Sequence, residues 1–155
     1  MKAKILALSI ICLFAFACGE EGLEQQQPKP QAKPHAKSES LEYQLATIEK
    51  GYVQRDNVII VRFRSLLEQL DRKFVEDKTQ ISDMTVGAQK ILREQEGIEE
   101  SLLTIMEGMN RLFTTNAGLQ YAEYASSYMV LRSKGQSHHD AIKGLRAILQ
   151  TLGIY

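Results

Sequence analysis

Tryptophan is absent from the 155 residues, and the chain has only two cysteines, three prolines and three histidines. Both cysteines, Cys12 and Cys18, fall near the start, so the body of the protein holds no thiol. That excludes an intramolecular disulfide, a cysteine zinc site, an iron–sulfur cluster and a thiol nucleophile from the fold. Apolar burial has to hold the fold together without any of them. Pro28, Pro30 and Pro34 sit in one short stretch and no proline follows, so nothing later in the chain bars long helices by that route. Charge of either sign is not in excess, with 19 Lys and Arg against 19 Asp and Glu. A balanced chain with no basic run gives no electrostatic case for a nucleic-acid partner. There is no glycine-rich phosphate loop, no G-x-S-x-G elbow and no H-E-x-x-H. We expect no enzyme activity, no catalytic residue, no cofactor and no metal site.

What is present begins with a short basic start, Met1 to Lys4, and then an apolar run from Ile5 to Ala17. This run of thirteen residues, broken only by Ser9, is too short for a permanent membrane span, which needs about 20. It suits the apolar core of an export signal, which has small residues before its cleavage site. Ala15-Phe16-Ala17-Cys18 resembles the lipobox of bacterial lipoproteins. It departs from the commonest form, which has Leu at the position of Ala15 and Ala or Ser at that of Phe16. The resemblance covers only the first 18 or 19 residues. It implies a signal peptide at 1–17, cut before Cys18, and lipid attachment at Cys18 as the acylated N-terminus. The protein would then be anchored through that lipid on the extracytoplasmic side of a bacterial membrane. Gly19 after the cysteine resembles the sorting default to the outer membrane, facing the periplasm, where two membranes exist.

Residues 18–39 read as a tether. Gln, Lys, Glu, Ala and Pro dominate it, and such a segment buries too little apolar surface to offset its ordering entropy. From Ser40 the pattern changes to a helical domain, 40–155. Leu41, Leu45, Ile48, Tyr52 and Ile59 mark one helical face, which Phe63, Leu66, Leu67, Leu70 and Phe74 continue to about residue 76. The run Val58-Ile59-Ile60-Val61 could be a strand, but the spacing on both sides favours helix. Ile81, Met84, Ala88, Ile91, Gln95, Ile98, Leu102, Ile105, Met109 and Leu112 then follow steps of 3 and 4, a heptad seam with one polar member, Gln95.

Two architectures fit this pattern. In one, the chain turns near 77–80 and two long helices form a hairpin. In the other, one helix of about 70 residues runs for roughly 105 Å and needs a partner chain along its seam. The hairpin is favoured, because it lets a single chain bury both stripes. A third helix is expected after a cap at Thr115 or Asn116, running to about Ser133. Gly135 suits its left-handed end, and Ser137 with Asp140 starts a fourth. The expected fold is all-α, a hairpin or bundle of about four helices dominated by a long heptad-patterned one.

Few residues point to chemistry. His138 and His139 are adjacent, so on a helix they diverge by about 100° and do not converge on a metal. Glu94, Glu96, Glu99 and Glu100 read as a solvated face. Tyr121, Tyr124 and Tyr128 share a stripe that is either core-facing or, with Gln95, a candidate partner-binding face. The expected role is a non-enzymatic structural or protein-interaction module of the envelope, binding a protein partner or itself. The alternative is a periplasmic small-ligand or stress-responsive binding protein.

Overall fold

Most helices in this protein begin where a side chain accepts from the first free N–H groups, and most end at or beside a glycine. The computed structural model describes residues 39–113 and 118–153. Among them are six helices: α1 (Leu41–Lys50), α2 (Val58–Asp71), α3 (Lys78–Glu96), α4 (Leu102–Asn110), α5 (Tyr121–Ser133) and α6 (His138–Thr151). The all-α expectation holds. The run at Val58–Val61 is the first turn of α2, capped by Asn57 Oδ1, which accepts from Ile59 N at 3.0 Å.

The long helices expected from the periodicity are broken, and the count of about four is corrected to six. The helix expected over 40–76 stops at Gly51 (φ 75°) and restarts at Val58. Ile48 and Tyr52, assigned to its buried face, are exposed, because the stripe does not cross the break. The heptad run from Ile81 to Leu112 is likewise two helices. Gly97 takes the left-handed conformation (φ 65°), and Ile98 N folds back to Leu92 O at 2.9 Å, closing α3. Ser101 then caps α4 by accepting from Thr104 N at 3.0 Å. The seam survives on paper because Ile98 and Leu102 fall at the right spacing. In space α3 buries Ile81, Ser82, Thr85, Ala88 and Leu92, and leaves Ile91 and Gln95 outside.

The chain does turn back on itself, at 72–77 rather than 77–80. Asp77 forms a full capping box, accepting from Gln80 N at 2.9 Å while the Gln80 side chain accepts from Asp77 N at 3.0 Å. Two later helices start on carboxylates from far away in sequence. Glu49 Oε2 accepts from Leu102 N at 2.8 Å, and Glu76 accepts from Tyr121 N at 2.7 Å and Ala122 N at 3.1 Å. The expected caps Thr115 and Asn116 lie outside the described residues. The last junction follows its sequence pattern: Gly135 is left-handed (φ 83°), and Ser137 Oγ accepts from Asp140 N at 3.2 Å.

One core runs through these helices. Phe63, Leu67, Leu70, Ile81, Leu92, Leu102, Ile105, Met106 and Met109 are fully buried, and each large apolar side chain contributes about 1.5–3 kcal/mol. Phe74 is its aromatic centre, edge-on to Phe113 (5.4 Å) and Tyr121 (5.1 Å), with Phe113 edge-on to Tyr124 (5.1 Å). The α3 helix packs most extensively on α5. No helix among the described residues is long and apolar enough to cross a membrane.

The glycines inside helices differ in their surroundings. A Cβ at Gly108 would lie 2.7 Å from His138 Cε1 and from Ile142 Cδ1, whereas one at Gly87 would meet nothing within 4 Å. Close approach of α6 to α4 therefore depends on Gly108. Gly108→Ala should destabilise the fold by about 1–3 kcal/mol through overpacking, and Gly87→Ala should stabilise it by roughly 0.5–1 kcal/mol through helix propensity. Urea unfolding of the two variants checks the pair, and equal effects of one sign would refute the assignment.

Candidate functional site

The tyrosine stripe turns inward. Tyr121 and Tyr128 are fully buried and Tyr124 is partly buried, so they do not form an exposed partner-binding face. Gln95 is exposed in the last turn of α3 and lies on no continuing seam, because the helix ends one residue later at Glu96. The four residues do not come together as one surface. Cys18 lies outside the described residues, as do residues 1–17, expected as a signal peptide, and the part before Glu39 of the stretch expected as a tether.

The buried hydroxyls of Tyr121 and Tyr128 are each met by a side chain from another element. Thr85 Oγ1 donates to Ile81 O at 2.8 Å, so its lone pair accepts from the Tyr121 hydroxyl at 2.7 Å. Burial pushes the Tyr121 phenol well above its usual range, with Thr85 offsetting part of the shift. This pair ties α3 to α5 inside the core.

The Tyr128 hydroxyl joins a larger cluster. It donates to Glu100 Oε2 at 3.2 Å and lies 2.9 Å from His138 Nδ1. A phenol has one proton, and the carboxylate can only accept, so His138 Nδ1–H is the donor to Tyr128. Arg132 completes the set, with Nη2 at 2.9 Å from Glu100 Oε2 and Nη1 donating to the Gln136 carbonyl. Both side chains of that ion pair are almost buried, at 13% and 11% exposure. Such a pair holds geometry more than it stabilises, since desolvation offsets much of its attraction. The cluster brings together the α3–α4 connection, α5 and the first turn of α6.

Burial dominates the electrostatics here. Desolvation holds the His138 pKa below its ordinary 6.5; Glu100 pulls it up, while Arg132, Arg111 and His139 push it down. Burial, then the Glu100 charge, raises the Tyr128 phenol far above its usual value, against Arg132. Among the described residues no group of three His, Cys, Asp or Glu could hold a metal ion. Sequence reasoning set Glu100 on a solvated face and His138 in a helix start, and Arg132 drew no attention at all. Arg132 and His138 lie 32 and 38 residues after Glu100, in patterns that any surface helix shows.

The outward surface beside this cluster is apolar. Val130 stands on α5 at 51% exposure between two open grooves. One, of about 320 Å³, lies between α5 and α6 and is lined by Ser126, Ser127, Leu131, Leu145 and Ile148. The other, of about 260 Å³, lies between α3 and α5, with Ile91, Leu92, Met129 and Ser133 along it.

The model of the MoxZ family matches residues 34–149, which include the whole Glu100–Tyr128–Arg132–His138 cluster and both grooves. The chain belongs to the MoxZ family. No curated protein and no solved structure matches it.

The depressed His138 pKa has a definite sign in stability. The unfolded chain binds a proton at His138 more readily than the folded one, so folding stability rises with pH across that window. This contribution is complete above about 6.5 and is lost as pH falls below it. Thermal unfolding at about pH 7.5 and about pH 5.5 should show a smaller pH dependence for His138→Gln than for the parent. An unchanged dependence would show that His138 does not titrate differently in the folded state.

Proposed function

We propose that this chain is a lipid-anchored, extracytoplasmic module of the bacterial envelope, whose helical head holds a protein partner by a non-enzymatic contact. The anchor is the acylated Cys18, and 18–39 is the tether between lipid and head. The docking surface is the outer face of α5 with its two flanking grooves. The occupant this surface suits is an amphipathic helix from the partner, laid along Val130 with its apolar side chains in the grooves.

The observation that carries the reading is Val130, half-exposed on a ridge with an apolar trough on each side. Ile91 on α3 and Ile148 on α6, each exposed and lining one of the grooves, extend the apolar surface. Contiguous apolar patches of this kind mark interaction sites, whereas single exposed apolar residues are ordinary. Ser126, Ser127 and Ser133 keep the flanks low, which lets a partner backbone come close. A small-molecule site would enclose most of its ligand; these troughs are open along their length, and so favour the protein partner over the small ligand.

Two substitutions separate the anchor from the docking face. Cys18→Ser should release the protein from the membrane fraction or leave an uncleaved precursor, because acyl chains contribute about 0.8 kcal/mol per buried CH₂. No change in processing or fractionation would sink the anchor. For the docking face, a photoreactive residue in place of Ser126 should crosslink in intact cells to one partner of reproducible mass. Val130→Glu should abolish that product without altering helical content. Crosslinks formed equally well by Val130→Glu would refute the face, and a product of twice the chain mass would identify the partner as a second copy.

A further inference from the structure

A second surface of α6 has the opposite character. His139, Lys143 and Arg146 follow steps of 4 and 3, so they line one side of the helix. Arg111, which ends α4, closes the other wall of a groove of about 360 Å³, with Ile142 at its side. The four polar side chains lining it are all basic, and no carboxylate is among the lining residues.

Ion pairing leaves much of this charge uncompensated. Lys143 and Arg146 make no ion pair among the described residues. Arg111 has a carboxylate oxygen of Glu107 at 3.8 Å, but that glutamate also binds Arg62 through its other oxygen. Asp140, on the first turn of α6, is taken by the Ser137 hydroxyl. Arg146 Nη2 donates to the Arg111 carbonyl at 2.8 Å, which fixes one guanidinium beside the residue that carries the other. Its Nε is buried and without a partner. Like charges held together by the backbone repel, and an anion between them removes that repulsion while accepting several charge-assisted hydrogen bonds.

We infer that the groove between Arg111 and the His139–Lys143–Arg146 side of α6 binds a phosphate-bearing anion, either free in solution or as the headgroup of an anionic phospholipid. Two guanidiniums and an ammonium are the donor set suited to tetrahedral phosphate oxygens. The site is independent of the docking face on α5, with which it shares no lining residue.

The test uses the full chain carrying Cys18→Ser, so that no acyl group contributes to binding. Isotope-labelled protein is titrated at low salt with inorganic phosphate, and with chloride at equal ionic strength as control. Saturable amide shifts centred on residues 139–146 and Arg111, absent with chloride, are expected. Lys143→Gln and Arg111→Gln replace exposed side chains, so each should keep the parent melting temperature. Each should weaken binding by about tenfold, the effect of losing one charged hydrogen bond. A second arm compares phosphatidylglycerol vesicles with phosphatidylcholine vesicles. Saturation by free phosphate identifies a soluble ligand; a preference for phosphatidylglycerol alone, weakened by Lys143→Gln, identifies the headgroup. Shifts reproduced by chloride, binding unaffected by both substitutions, or no response in either arm would overturn the site.

Discussion

Glu76 fixes how the later helices sit on the earlier ones. Its carboxylate accepts from Tyr121 N and Ala122 N, the first free donors of α5, across 45 and 46 residues of chain. Gln120, the residue at the cap position, makes no side-chain capping bond to α5. A negative group at a helix N-terminus also meets the positive end of the helix dipole. Beside it, Val75 N donates to Leu119 O at 3.1 Å, so backbone and side chain set the same register. With α5 starting there, Tyr121 reaches Thr85 and stacks edge-on to Phe74. Tyr128, two turns on, then arrives between Glu100 and His138. The aromatic centre and the polar cluster both depend on where α5 begins.

This explains which parts of the fold were legible in the sequence. Local signals were: Ser137 with Asp140, Gly135 as a left-handed end, and helix rather than strand at Val58–Val61 all follow from neighbours a few residues apart. Long-range caps were not. Glu49 and Glu76 carry nothing in their own surroundings that marks them as partners of Leu102 and Tyr121. The breaks at Gly51 and Gly97 were hidden for a different reason. Apolar spacing measures which residues are buried, and a chain that stops and restarts can keep that spacing by chance. A glycine at 97 costs helix stability by itself, but the seam runs past it on either side. The misplaced Gln95 followed directly, since a seam position is buried only while its helix continues.

The candidate surfaces were harder to read than the core. The basic groove joins Arg111 to residues that lie 28 to 35 positions later. Chain-wide charge balance, which gave no electrostatic case for a nucleic-acid partner, says nothing of how charges group in space. The apolar face is a similar case. Val130 widened no expected stripe, and it became notable only once α3 and α6 were seen to leave a trough on each side of it. Core residues announce themselves by period, whereas a surface is assembled from helices whose relative placement the period does not specify.

α6 connects the two surfaces mechanically. One of its sides, through Leu145 and Ile148, lines the apolar trough against α5, and another, through Lys143 and Arg146, lines the basic groove against the end of α4. Between them Ile142 and His138 press on Gly108, where there is no room for a Cβ. At such a contact α6 cannot shift outward without opening a void, nor inward without a clash. His138 also holds Tyr128, and through it Glu100 and Arg132, so the start of α6 is fixed by packing and by directed hydrogen bonds together. The bond from Arg146 Nη2 to the Arg111 carbonyl, at 2.8 Å, holds the basic groove across the same pair of elements. The two surfaces share a wall even though they share no residue.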